Sequence, residues 1–160
     1  ADKRQTAADV GVGAVIFGAL SGGRIKDVSF SLDKALSFDG ETGPYLQYTH
    51  ARCCSIVEKA GEITGKADYS LLARDDAFAV VRLLAGFYRE TQSALEKYEP
   101  SIISRYLIDL AQAFNKFYVN SRIVGEQNDV AFTRLMLVKS VRAALSAGLD
   151  LILLKAPEKM

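Results

Sequence analysis

TGPYLQYTHARCCSIVEKA, residues 42–60, reads as one amphipathic helix with a marked start. Thr42 can accept from the open amides of a first turn, and Pro44 lies where a missing N–H costs nothing. At 100° per residue, Leu46, His50, Cys53, Val57 and Ala60 fall within about 40° of one line, a buried stripe. Tyr45, Tyr48, Arg52 and Lys59 cluster on the opposite side, with Ser55 beside them. Such a face suits two ends. Its rings can stack on bases while its cations hold phosphates or base edges, or it can pack on a preceding domain or another helix. His50 lies in the apolar stripe of a chain with no second histidine, which predicts a hydrogen-bonded core group rather than a catalytic base. Cys53 faces the core and Cys54 the flank, and neither has a setting that would activate a thiol.

Toward the C-terminus the pattern stays helical. Residues 75–86 (DDAFAVVRLLAG) predict a helix with acids in its first turn, and Tyr88 to Tyr98 a second one. Pro100 opens the clearest helix, in which Ile103, Leu107, Leu110, Phe114 and Phe117 step by four and three along a core seam. Arg105 and Asp109 are spaced to pair across one outer turn, and Tyr118 and Arg122 lie off the seam. Asn128-Asp129 reads as the cap of a last helix, with Leu135, Val138, Arg142 and Leu145 in one sector, Arg134 and Lys139 outside, and Gly148 as its end. Gly61 to Gly65, Glu99-Pro100 and Gly125 to Asn128 punctuate these elements.

Toward the N-terminus, Thr6 to Leu20 predicts a helix that starts at Thr6 and Asp9 and puts Val12, Ile16 and Ala19 on one face. Gly11, Gly13 and Gly18 would let a neighbour approach closely. Gly11-x-Gly13 is not a dinucleotide loop, since Ile16 stands where a third glycine is needed and no strand precedes it. No phosphate-cradling G-x-x-x-x-G-K-S/T sequence occurs. Ser21-Gly22-Gly23 breaks the helix. Ile25, Val28, Phe30 and Leu32 alternate imperfectly, which leaves a short strand and an extended segment both open, and Asp39-Gly40 marks a turn.

Composition sets the outer limits. With 20 Lys+Arg against 19 Asp+Glu, the net charge of +1 excludes a generally basic coat, so any nucleic-acid site must be local. Residues 100–160 carry only a mild excess, eight basic residues against five acids. One histidine excludes two-His zinc motifs, and no stretch approaches a membrane span. The adjacent cysteines cannot close a stabilising loop and read as reduced thiols of a cytoplasmic protein. The absence of tryptophan and only three prolines lean toward an all-α fold.

At F-D-G-E-T-G-P-Y-L-Q-Y-T-H-A-R, residues 38–52, the chain resembles the junction between the catalytic and anticodon-binding domains of arginyl-tRNA synthetases. Those enzymes open the first anticodon-domain helix with T-G-P-Y-L-Q-Y-x-H-x-R. The resemblance continues in R-Y-L-I-D-L-A-Q-A-F-N-K-F-Y (105–118), in R-L-M-L-V-K (134–139), and from Gly148-Leu-Asp-Leu151 to Ala-Pro-Glu-Lys-Met160. Upstream, V-G-V-G-A (10–14) looks like the helix that follows the family's signature loop. The D-A-L-R tetrapeptide that names this domain type is missing, so the resemblance rests on the longer motifs.

The resemblance implies an all-α helical bundle of the class I synthetase anticodon-binding type, with a short mixed remnant of the catalytic domain before it. Residues 1–41 would be that remnant and its linking loop, and 42–160 the anticodon domain. The H-I-G-H-like and K-M-S-K-S-like signatures of the catalytic domain do not occur, and Ala1 stands where a starting methionine would. The expectation is therefore a piece of a longer arginine–tRNA ligase without its ATP and arginine sites, inactive alone, with no cofactor or metal of its own. ATP with Mg would serve the full enzyme.

The implied partners are tRNA(Arg), read at the middle anticodon base C, and the catalytic domain of the parent chain; no membrane is implied. Tyr48 and Arg52 match residues that approach the central base, Tyr118 an aromatic after F-N-x-F, and Met160 a terminal methionine closing the pocket. Phe38, Asp39, Gly40, Glu41 and Thr42 match a supporting loop, with Tyr45 as its brace. Every arginine codon has G in the middle, so one pocket for C serves all isoacceptors. The competing readings are the helical domain of another synthetase, such as the glycyl enzyme, and a protein-interaction module without an RNA role.

Overall fold

The helix that begins at Thr42 forms as its sequence dictates. Thr42 Oγ1 accepts the Tyr45 N–H at 3.1 Å, Pro44 sits in the first turn, and the helix runs to Ala60. The structure is a computed structural model that describes residues 2–27, 29–73, 75–123 and 125–160, without the side chain of Asp75. Among the described residues the order is α1 (Lys3–Leu20), α2 (Leu32–Ala35), α3 (Gly43–Ala60), a 3-10 turn (Tyr69–Leu72), α4 (Asp75–Lys97), α5 (Ser101–Asn120) and α6 (Asn128–Leu151), with no strand. The all-α reading holds. Residues 29–31 have no regular secondary structure, with Ser31 extended; Leu32 starts α2, and Val28 lies outside the described residues.

The core lies between α5, α6 and α3. All five seam residues of α5 are buried, and Leu107, Leu110 and Phe114 have no exposed surface. Leu135, Val138 and Leu145 of α6 meet them, with Leu46 and Cys53 from α3 and Val80 from α4. Each fully buried leucine or phenylalanine contributes about 1.5–3 kcal/mol, which is why this seam organises the bundle. α4 packs along α5, α6 packs against both α3 and α5, and α1 lies across α3.

Three elements depart from their sequence reading. α1 begins earlier, because Asp2 caps it by accepting the Arg4 N–H at 3.0 Å. Its buried face is Gly13, Ala14 and Phe17, while Val12 is 59% exposed. The crossing with α3 selects that face: a Cβ on Gly43 would stand 2.8 Å from the Gly13 carbonyl oxygen. Gly11, by contrast, has nothing within 4 Å. The two helices read over 75–98 are one, α4, since an interior glycine such as Gly86 costs only about 1 kcal/mol against packing along its whole length.

α6 neither starts nor stops as read. Its cap position is Gln127, which makes no side-chain capping bond, and Asp129 instead accepts the Lys66 N–H at 2.9 Å. Gly148 is buried inside the helix rather than ending it. A Cβ there would fall 2.4 Å from Leu107 Cδ2, so this glycine is an α5–α6 contact. Gly148→Ala is therefore expected to destabilise by about 1–3 kcal/mol despite its better helix propensity. Urea unfolding checks this, and a cost that falls in a Leu107→Ala background would locate the clash.

Candidate nucleic-acid interface

The outward strip of α3, the C-terminal half of α5 and the segment after α6 converge at one end of the bundle. An open pocket of about 650 Å³ lies there, lined by Phe38, Asp39, Tyr45, Tyr48, Arg52, Asn115 and Met160. A second hollow of about 520 Å³ shares Tyr48, Arg52 and Met160 and adds Tyr118, Ser55, Lys59 and Lys159. Helical spacing brings Tyr48 and Arg52 onto neighbouring turns of α3.

Arg52 is the fixed point of this site. Its guanidinium carbon lies 4.8 Å from the Tyr48 ring centroid and 6.0 Å from that of Tyr118. Its Nη1 donates to Asn115 Oδ1 at 2.6 Å. Asn115 is held in turn, with Nδ2 donating to Tyr45 Oη at 2.9 Å and to Thr49 Oγ1 at 3.3 Å. A guanidinium has five N–H donors, more than this one bond consumes. Tyr118 stacks on Phe114 at 6.2 Å and 22°, so the core seam of α5 orients its ring.

The loop before α3 supplies the facing wall. Thr42 Oγ1 donates to the Ser37 carbonyl at 2.6 Å while capping α3, and Ser37 Oγ donates to the Asp39 carbonyl at 3.0 Å. Gly40 takes the left-handed conformation, φ 90°, that favours glycine. Phe38 meets Tyr48 edge-on, centroids 6.0 Å apart. Of this loop only Phe38 and Asp39 line the larger pocket; Glu41 lines a different hollow beside Phe17, Arg105 and Asp109. The hydrogen bond that braces the loop comes from Thr42, whereas Tyr45 reaches Asn115.

The structure thus places Tyr45, Tyr48, Arg52, Met160, Phe38 and Asp39 together, with Tyr118 across Arg52. Asn115 and Thr49 were missing from the sequence reading. The signal for Asn115 was present, a polar residue beside Phe114 with no packing reason of its own.

His50 is a core histidine, as expected. Its Nδ1 lies 2.9 Å from the Pro157 carbonyl, which can only accept, so Nδ1 carries the proton. Burial holds the imidazole below its usual range, with Pro157 pulling it up, Arg142 pushing down and Glu158 pulling up. Burial also pushes the Cys53 thiol up to about 12 and raises that of Cys54. Both cysteines are free. Among the described residues no group of three or more His, Cys, Asp or Glu is placed to hold a metal, and no helix is long and apolar enough to cross a membrane.

The structure is thus a helical bundle that gathers three tyrosines and a guanidinium around two adjoining hollows. The chain belongs to the DALR anticodon binding domain family, whose sequence profile matches residues 46–160. It is 51% identical over 152 residues to the arginine–tRNA ligase of Clostridioides difficile, a match covering 94% of this chain and 27% of that protein. It is 48% identical to the arginine–tRNA ligase of Alkaliphilus metalliredigens over 99% of this chain and 28% of the relative. The structure superposes on Thermus thermophilus arginyl-tRNA synthetase with a TM-score of 0.93 at 37% identity, covering all of this chain and 28% of that one. The chain therefore spans a little over a quarter of the relatives it matches.

Because the folded-state imidazole of His50 is depressed, the unfolded chain takes up its proton first as pH falls. The stability linked to His50 is fully present above the ordinary histidine value of 6.5 and is lost as pH drops below it. Unfolding free energies measured between neutral and acid pH should decline over that window, and less steeply in His50→Gln.

Proposed function

We propose that this chain is the anticodon-reading portion of an arginine–tRNA ligase and that its pocket receives the middle anticodon base, C. The observation that carries this reading is Arg52, placed between the rings of Tyr48 and Tyr118 and fixed by Asn115. An unstacked cytosine offers an amino donor at N4 and acceptors at N3 and O2. Arg52 supplies donors for the acceptor atoms, a backbone carbonyl can accept a hydrogen bond from the N4 amino group, and a tyrosine face can stack on the ring. Such stacking contributes roughly 1–3 kcal/mol per base.

The names of the relatives support the arginine assignment, and the first turn of α3, where the family match begins, supports a boundary near residue 42. Residues 1–41 would then belong with the catalytic portion that makes up the rest of the relatives' length. ATP and Mg would act there, and arginine would be activated and transferred to the tRNA there. A cytoplasmic site of action fits the two free thiols.

The test uses the full-length enzyme containing this chain and a tRNA(Arg) transcript with C or U at the middle anticodon position. Arg52→Ala and Tyr118→Ala should each weaken binding of the C transcript by about tenfold or more, the lower part of the stacking range. Unchanged affinity in both would overturn the pocket. Replacing C by U should weaken the native enzyme to a similar degree; indifference to that base would favour another synthetase or a protein-binding role. Residues 1–160 alone should form no arginyl-adenylate and no arginyl-tRNA, and measurable turnover would overturn that part of the reading.

A further inference from the structure

After Ile152 and Leu154, which are buried in the core, the chain turns back along α3 and carries Met160 to the pocket. Three side chains of α3 make polar ties to this returning segment. Gln47 Nε2 donates to the Lys155 carbonyl at 2.9 Å, His50 Nδ1 donates to the Pro157 carbonyl at 2.9 Å, and Glu58 pairs with Lys159 at 3.0 Å. The last of these is an exposed ion pair and holds little. The buried ties are Gln47 and His50.

Gln47 has a further peculiarity. It has no exposed surface, its Nε2 also donates to the Asp9 carbonyl of α1 at 3.2 Å, and its Oε1 is buried without a hydrogen-bond partner. Both groups facing Nε2 are carbonyls, so the amide cannot be turned round to satisfy the oxygen. A leucine would fill this space without an orphaned acceptor. What the glutamine adds is two N–H donors, one to α1 and one to the returning segment. Gly13 leaves the room for it, since a Cβ there would stand 3.0 Å from Nε2.

We propose that Gln47 and His50 are positioning residues for anticodon recognition. They clamp residues 155–157 onto α3 so that Met160 forms a wall of the pocket, and the shared amide of Gln47 ties that wall to α1. This rests on the RNA reading above and assigns roles to two residues that do not line the pocket.

Two readouts on the full-length enzyme test it. The first is independent of RNA: the rate of trypsin cleavage after Lys155, followed by mass. The second is the KM and kcat for a tRNA(Arg) transcript. Gln47→Leu is expected to speed the cleavage and to raise KM about five- to tenfold, with the change falling on KM rather than kcat. It should add little in a Met160→Ala background, because both variants remove the same wall. A chain stopped after Ala156 leaves the core intact and should show the same rise in KM, which covers the case in which Gln47→Leu folds poorly.

The inference is overturned if Gln47→Leu leaves the cleavage rate unchanged. It is also overturned if the shortened chain keeps the native KM while Arg52→Ala raises it. If Arg52→Ala leaves KM unchanged as well, the RNA reading of the pocket is what fails, and the inference falls with it.

Discussion

α3 is enclosed by α1, α5 and α6, and the placement of the Tyr48–Arg52 strip follows from that enclosure. A helix packed from so many directions cannot stay simply amphipathic. Besides the apolar stripe it buries Gln47, Thr49 and His50, and each of these has a hydrogen bond to satisfy inside the bundle. Burying such groups is costly unless they are paired, so their partners are fixed in place. The strip left open on α3 is narrow, and Tyr48 and Arg52 stand on it. Their position is set by the core behind them rather than by the surface around them.

The parts legible in the sequence are those determined within one helix. The Thr42 cap, the α5 seam and the apolar setting of His50 follow from local chemistry and from a repeat of 3.6 residues. The features that escaped are decided by a second element. Which face of α1 is buried depends on the Gly13–Gly43 crossing, and the presence of Gly148 inside α6 depends on Leu107. A glycine used for close approach looks the same in sequence as one that ends a helix. Asn115 is similar: its place beside Phe114 was visible, but its meaning required α3 to arrive opposite it. Tyr48, Arg52 and Met160 were legible as a set only through the longer motif, since no spacing rule links residues more than a hundred positions apart.

The near-neutral charge of the chain and a nucleic-acid site are compatible because of how Arg52 is held. The groups that hold its guanidinium are two phenol rings and an amide, all neutral. Cation–π and amide contacts orient a guanidinium without cancelling its charge, as a carboxylate would. Among the described residues no ion pair involves Arg52, although Lys159 and Glu58, which pair with each other, line the second hollow. Arg52 is thus an oriented charge in a site that Asp39 lines on one side and Lys59 and Lys159 on the other.

The crossing of α1 over α3 means that the unit defined by sequence kinship and the unit that folds are different sizes. The family profile starts at Leu46, yet Gly43, the Thr42 cap and the cover given by Phe17 and the Asp9 carbonyl all precede it. A piece cut at the edge of the kinship unit would open Leu46 and Gln47 to water and leave the first turn of α3 uncapped. The smallest transplantable body therefore takes α1 with it, and any scheme that grafts this bundle onto another protein inherits that helix as part of it.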